Sequence, residues 1–170
     1  MRTLFLSITS LLMSGFLTTA MATKYAMPQD SEVKSDNGKY VLKITAKTGK
    51  HGVYEGDKLL WSFEREVWHN GYFLSNDGKH VLWVAWKHMK AEHTDKKEAV
   101  VAYAAEGKVM SKTFGQVSEP RPRGAREVGP IGDFWRLWRG KMEQEGNKVT
   151  IAVAGKEPLV IDLANPKGGD

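Results

Sequence analysis

The residues best suited to metal chemistry lie in one polar segment, residues 87–98, which contains two of the chain's five histidines. Imidazole nitrogens at His88 and His93 and the thioether of Met89 are donor types that bind copper or zinc, and the segment also carries carboxylates. Yet His-x4-His matches no defined metal motif, and lysines crowd the segment. The alternative is a solvated loop whose charges keep strand edges unpaired. No cofactor other than Cu or Zn is predicted.

A second candidate site is the basic stretch Pro120–Arg126, in which two prolines stiffen a run containing Arg121, Arg123 and Arg126. Guanidinium groups pair bidentately with carboxylate or phosphate, and prolines reduce the entropy lost on ordering. The stretch therefore predicts contact with an anionic envelope component or a protein partner. A linker with solubilising charge is the simpler interpretation. No nucleic-acid-binding motif accompanies the arginines, so nucleic acid is not a predicted partner.

Tryptophan is abundant, with six residues in the chain. Indole rings anchor protein interfaces and stack on ligands, but most of the six fall in strand patterns, where core packing explains them. Trp68 lies beside Asn70-Gly71 and Trp86 lies at a strand end. These two are the predicted binding tryptophans.

Catalytic motifs are not found in the sequence. There is no Gly-x-Ser-x-Gly, no His-Glu-x-x-His and no phosphate-binding loop, and the absence of cysteine excludes a thiol nucleophile. Glu64 and Glu66 flank Arg65 and could resemble an acid/base pair, although a surface charge ladder accounts for them. A hydrolase built on a triad from distant positions remains an alternative.

The N-terminal residues predict export. Met1-Arg2 is basic, residues 4–17 are apolar, and Ala20-Met21-Ala22 supplies the small residues that a signal peptidase requires. Residues 1–22 are therefore a predicted cleaved signal peptide, and the protein is expected to be periplasmic or secreted. The remaining 148 residues suit one domain that must fold without disulfides. They contain no apolar run of 18 residues, so no integral membrane segment is predicted after cleavage.

An internal repeat dominates the rest of the chain. Residues 35–42 (SDNGKYVL) recur as residues 75–82 (SNDGKHVL) at an offset of 40 residues. Each copy predicts a tight turn, a strand and then a hairpin. The strand of the second copy is apolar on both faces, which is typical of a central strand. Residues 134–163 form a third and more divergent copy, with strands expected at Phe134–Met142, Lys148–Ala154 and Leu159–Asp162.

The S-x-x-G-K-x-V-L strand starts and the V-Y-x-G-x-K-L-L-W hairpin resemble the blades of secreted β-propellers of the YVTN and WD-repeat type. The resemblance covers roughly residues 35–114. Propellers have about 4–8 blades, whereas this chain has room for three, and the Gly-His and Trp-Asp pairs of WD repeats are absent. The predicted fold is therefore all-β: antiparallel meanders of blade-like repeats that form an open curved sheet or a small sandwich, a partial propeller.

These patterns together predict an exported, non-enzymatic binding protein that contacts an anionic or protein partner through its basic loop. A periplasmic Cu/Zn-binding protein using the His88–His93 loop is the first alternative, and the hydrolase is the second. The predicted organisation is a signal peptide (1–22), an N-terminal extension (23–34), a single β domain (35–165) with repeats at 35–74, 75–114 and 127–165, and a tail (166–170).

Overall fold

The computed structural model describes residues 28–66, 71–85, 88–90, 96–117, 127–129, 132–136, 138–153 and 156–168. Within these ranges the chain is mostly β-strand, arranged in four open antiparallel sheets. The predicted all-β fold of antiparallel meanders is therefore confirmed. Helix in the described ranges is limited to one turn, Phe114–Val117 (α1), and a 3-10 turn, Pro166–Gly168.

Sheet I is a four-stranded meander in which each strand pairs with the next along the chain. In its second strand Tyr40, Leu42 and Ile44 are buried and alternate with more exposed residues, as the two-residue period of a strand requires. The first strand lies before residue 35, and its polar sequence Ser-Glu-Val-Lys gives no strand signal. The strands are β1 (Ser31–Lys34), β2 (Tyr40–Ile44), β3 (Lys50–Glu55) and β4 (Lys58–Glu64).

Sheet II repeats this meander, but the connection between its second and third strands contains a short strand that pairs in another sheet. Its second strand lies between two neighbours and is buried at all four positions, which confirms the central strand predicted from its apolar sequence. The strands of sheet II are β5 (Gly71–Leu74), β6 (Val81–Val84), β8 (Glu98–Ala104) and β9 (Gly107–Thr113), and the departing strand is β7 (His88–Lys90).

The third repeat divides between two sheets. The strand expected at Phe134–Met142 is in fact two strands, because the chain leaves a small side sheet after Arg136 and enters sheet III at Trp138. The side sheet has the order β10-β11-β7, with β10 at Glu127–Gly129 and β11 at Gly132–Arg136. Sheet III contains β12 (Trp138–Glu145), β13 (Lys148–Val153) and β14 (Leu159–Asp162).

One hydrophobic core joins sheets I, II and III. Burial of these side chains is the main force that holds the sheets together, in a chain that has no cysteine with which to form disulfides. The fully buried members include Leu42 and Val53 from sheet I, Leu74 and Val81 from sheet II, and Val149 and Ile151 from sheet III.

The repeated Ser-x-x-Gly-Lys motif forms the same turn twice. In the first copy, the hydroxyl of Ser35 and the backbone N–H of Lys39 both donate to Oδ1 of Asn37, at 2.8 and 3.1 Å. These bonds fix the turn locally, and the backbone N–H groups of Gly38 and Gly78 each donate to the carbonyl of the turn's serine. The equivalent atoms of the second copy are those of Ser75, Lys79 and Asp77, at 2.7 and 3.0 Å.

The turns that join the first two strands of sheets I, II and III hydrogen-bond to one another in a closed ring, which we call the hub (residues 35–38, 75–78 and 145–147). The N–H of Asn37 donates to Oδ1 of Asn76 at 2.8 Å, and Nδ2 of Asn37 donates to the carbonyl of Asn76 at 2.8 Å. The N–H of Asn76 donates to Oδ1 of Asn147 at 2.7 Å. The N–H of Gly146 donates to Oδ2 of Asp36 at 3.0 Å and closes the ring. Each turn therefore contacts both of the others.

Two further bonds reinforce the hub from within the sheets. Nε1 of Trp61, in sheet I, donates to the carbonyl of Gly78 at 2.7 Å. Nε2 of Gln144, in sheet III, donates to the carbonyl of Leu74 at 2.9 Å. Sheet II is thus bonded to both of its neighbours close to the hub.

Gly78 is the most tightly packed position of the hub. Its φ is +69°, and a Cβ placed there would lie 2.5 Å from the ring of Tyr40. Gly38 occupies the equivalent position of the first turn with a φ of +70°, but a Cβ there would meet nothing within 4 Å. The two glycines share a backbone requirement and differ in the space around them.

We expect Gly78→Ala to destabilise the protein more than Gly38→Ala does. Both substitutions place a side chain in the left-handed region, at a cost of about 1–2 kcal/mol. Gly78→Ala must also displace the Tyr40 ring, which adds about 1–3 kcal/mol. Denaturant unfolding of both variants measures the difference, and equal free energies of unfolding would contradict this description of the hub.

Candidate functional site

The long connections of the chain all leave the sheets at the end opposite the hub, which we call the loop end. In sheet II, Gly71 pairs with Val84 and Val84 pairs with Val100, so the start of β5, the end of β6 and the start of β8 lie side by side. The connections 65–70, 85–97 and 114–137 begin or end there. Antiparallel pairing thus places the strand ends from which these connections leave, and to which they return, at one end of the sheets.

All of the predicted site residues belong to these connections. The structure describes His88 and Met89 only as backbone positions of β7. The metal-binding role predicted for these two residues stays a prediction, and so do the roles predicted for the site residues that lie outside the described part of the chain. Trp68, Trp86, His93, Arg121, Arg123 and Arg126 lie outside the described residues.

The side sheet brings the two predicted binding segments to one place. Its central strand, β11, pairs on one side with β7, which belongs to the histidine-containing insertion. On its other side it pairs with β10, which begins at Glu127, directly after the basic loop. Two strand spacings separate β7 from β10, about 10 Å. The backbone therefore places β7 of the insertion and β10, which follows the basic loop, on the two edges of a single sheet.

Positive charge is concentrated in the same two segments. Residues 87–98 and 118–141 together carry ten basic and six acidic side chains, a net charge of +4 out of +5 for the chain. All other residues together contribute only +1. The insertion, the basic loop and the strands that adjoin them thus carry most of the net positive charge of the sequence.

An ion pair joins sheets I and II beneath these segments. Arg65 follows the last residue of β4, and its Nη1 donates to Oε2 of Glu98, the first residue of β8. The same Nη1 donates to the hydroxyl of Tyr103 at 3.2 Å, and the guanidinium lies 3.8 Å from the ring centroid of Trp83. A guanidinium that stacks on an indole while it pairs with a carboxylate is held in one geometry. The pair therefore fixes the bases of connections 65–70 and 85–97 relative to each other.

Glu98 is the centre of a small charged network. Its Oε1 accepts hydrogen bonds from Nζ of Lys108 at 2.9 Å and from the hydroxyl of Ser111 at 3.1 Å. Partial burial would raise the pKa of this carboxyl group, but the bonds from Lys108, Arg65 and Ser111 outweigh burial and lower the pKa to about 2. The carboxylate therefore stays ionised under all but strongly acidic conditions.

His51 is a buried structural histidine rather than a ligand. Its Nε2–H donates to the carbonyl of Arg65 at 2.9 Å, and its Nδ1 accepts from the N–H of Thr45 at 3.4 Å. Burial lowers the pKa of this imidazole below its ordinary value of 6.5, against the opposing effect of the bond to the Arg65 carbonyl. The neutral ring thus holds the backbone from which the Arg65 side chain projects.

Aromatic rings fill the space between sheets I and II around this network. Phe63 stacks on Tyr103 with centroids 4.6 Å apart, and His51 meets Phe63 edge-on at 5.0 Å. Among the described residues, Nε1 of the buried Trp83 has no hydrogen-bond partner. An unpaired buried donor costs about 1–3 kcal/mol. The packed rings give the loop end a rigid base. Within the described part of that base, the indole N–H of Trp83 is a donor without a partner.

The described residues hold neither a cluster of metal-binding side chains nor a membrane-spanning helix. They contain no group of three or more His, Asp or Glu side chains that could hold a metal ion. No helix within the described ranges is long and apolar enough to cross a membrane. Glu64 is exposed and forms a 3.6 Å ion pair with Lys50, as expected of surface charge, and Glu66 is also exposed.

No protein-family model matches the chain, and no curated protein is significantly similar to it.

Sequence reasoning missed Arg65 and Glu98 as the pair that organises the base of the site. Thirty-three residues separate the two side chains, and each lies in an ordinary charged context along the chain. The one available signal was local: Arg65 lies between two glutamates at the end of a strand and is the member of that triplet that faces the interior. Only the pairing of sheets I and II identifies its partner.

We expect stability to fall in two steps as the pH is lowered. The pKa of His51 is lower in the folded state than its ordinary value of 6.5. The contribution of this residue to the free energy of unfolding is therefore complete above pH 6.5 and is lost as the pH falls further. The depressed pKa of Glu98 gives a contribution that is present above 4.5 and is lost as the pH falls towards about 2. Glu98→Gln should remove the second step only, and should cost about 1–3 kcal/mol at neutral pH because Arg65 loses its counter-ion.

Denaturant unfolding across this pH range checks the prediction. Lys50→Gln is the matched control, since it removes an exposed ion pair, and surface pairs contribute about 0–1 kcal/mol. A Glu98→Gln variant that keeps the low-pH step would show that another group is responsible for it.

Proposed function

We propose that this protein is an exported, non-enzymatic binding protein that contacts an anionic partner of the cell envelope through the loop end. The observation that carries the proposal is the side sheet, in which β7 of the insertion and β10, the strand that follows the basic loop, flank one strand. Because the segments around these strands carry most of the net positive charge of the sequence, an anionic surface would be attracted to them preferentially.

The fixed base beneath the loops supports this function. The Arg65–Glu98 ion pair and the stacked rings join sheets I and II. They do so where connection 65–70 begins and connection 85–97 ends. Binding segments on a rigid scaffold lose less entropy when a partner orders them than segments on a mobile one. The scaffold thus suits recognition, and the residues of the connections would supply the specificity.

Export and the blade-like architecture belong to the same proposal. The basic, apolar and small-residue regions of residues 1–22 support a cleaved signal peptide. Three sheets whose first two strands are joined by turns at equivalent positions support repeats of the propeller-blade type, arranged as a partial propeller. An exported chain that has no cysteine would depend on such non-covalent contacts between its sheets.

We expect replacement of Arg121, Arg123 and Arg126 by alanine to weaken binding to vesicles that contain phosphatidylglycerol. Each basic side chain near an anionic surface contributes about 1 kcal/mol, so the triple variant should bind roughly a hundredfold more weakly at low salt. Binding of the unaltered protein should also decrease as salt screens the interaction. Vesicle co-sedimentation measures both effects.

The control removes the same number of charges at the hub end. Lys58, Lys79 and Lys148 are exposed and lie at or beside turns there, so their replacement by alanine lowers the net charge equally. This variant should keep most of the binding. If the two triple variants lose binding equally, only net charge matters and the loop end is not the binding surface.

A further inference from the structure

The hub contains an Asn-Gly pair, Asn37-Gly38, which is the sequence most prone to spontaneous loss of an amide group. In this reaction the backbone nitrogen of the following residue attacks the asparagine Cγ, and glycine offers no side chain to obstruct the attack. The structure adds that the space beside Gly38 is open, since a Cβ placed there would meet nothing within 4 Å. The geometry of the turn therefore leaves the attacking residue unshielded.

The second turn shows what a carboxylate does at the same position. Asp77 accepts the hydrogen bonds from the serine hydroxyl and the lysine N–H of its turn, as Asn37 does in the first turn. Conversion of Asn37 to aspartate would therefore preserve the bonds within its own turn. The atom that changes is Nδ2, which donates across the hub to the carbonyl of Asn76 at 2.8 Å.

We propose that Asn37 is a deamidation site that the closed hub protects, and that its deamidation weakens the coupling between the first turn and the second. The nitrogen of Gly38 forms a bond to Cγ of Asn37 as the amide leaves as ammonia, which gives a cyclic imide. Water then opens the imide at either carbonyl and yields aspartate or isoaspartate. The reaction needs no oxidant, reductant or other cofactor.

Protection follows from the hydrogen bonds around both reacting groups. The carboxamide of Asn37 is held at Oδ1 by Ser35 and Lys39 and at Nδ2 by Asn76. The N–H of Gly38 donates to the carbonyl of Ser35 at 2.8 Å. The side chain must leave these partners and the nitrogen must lose its proton before the ring can close. The reaction therefore proceeds through the fraction of molecules in which the hub is open.

The product would prevent the hub from closing again in the same way. An aspartate at position 37 would present an oxygen, in place of an N–H donor, to the carbonyl oxygen of Asn76, and these two acceptors repel each other. Isoaspartate would also lengthen the backbone by one methylene within the turn. In either case the bond from Nδ2 of Asn37 is lost, which is one of the two hydrogen bonds between the first and second turns.

The test measures deamidation of Asn37 by peptide mass spectrometry after incubation of the full chain in mildly alkaline buffer. We expect the rate in the folded protein to be at least about tenfold lower than in urea, which corresponds to about 1.4 kcal/mol of opening free energy. Asn147→Ala removes a hub bond far along the chain from Asn37, so it should raise the folded rate severalfold and leave the rate in urea unchanged. Equal folded and unfolded rates, or no effect of Asn147→Ala, would overturn the protection.

The consequence of the reaction is tested with the product itself. Asn37→Asp should raise the equilibrium constant of unfolding by about tenfold, since it leaves the carbonyl oxygen of Asn76 facing a carboxylate. Asp77→Asn is the matched control, because the first turn already functions with an amide at this position, and it should change the constant by less than about threefold. An Asn37→Asp variant as stable as the unaltered protein would overturn the weakened coupling.

Discussion

The closed ring of hydrogen bonds at the hub is the constraint on which the arrangement of the three larger sheets depends. Hydrophobic burial is non-directional and would allow the sheets to pack in many ways. The bonds from Asn37 to Asn76, from Asn76 to Asn147 and from Gly146 to Asp36 allow only one arrangement. The repeated turn motif thus has two roles: it starts a strand, and it positions that strand's sheet against the neighbouring sheets.

Fixing the sheets at one end leaves the other end available for variation. The connection between the second and third strands of a sheet spans Thr45–Gly49 in sheet I but residues 85–97 in sheet II, and the hub bonds are unaffected by this difference. Arg65 and Glu98 limit the motion at the base of the longer connection. The molecule therefore separates an end where hydrogen bonds join the turns from an end where the connections differ in length, and connections on such a scaffold are where binding residues are usually found.

Local patterns predicted the hub turns of sheets I and II and the strands that follow them, because turns and alternation are short-range properties, but they did not predict β1 and β5, the strands that precede those turns. The repeat identified the turns before Tyr40 and His80, and the apolar run 81–84 identified a buried central strand. The side sheet could not be predicted, since its pairing of β7 with β11 joins segments more than forty residues apart. The ring of bonds through Asn147 was equally hidden, because the third turn does not share the Ser-x-x-Gly motif.

The central claim is that the hub closes and opens as one unit, and native-state hydrogen exchange tests it most directly. The amide hydrogens of Asn37, Asn76 and Gly146 are the backbone donors of the ring, one from each turn. If the ring is cooperative, all three should exchange with the same opening free energy and the same dependence on denaturant. Three unequal free energies, or exchange at the rate of an exposed loop, would show that the turns are held independently and would contradict the account.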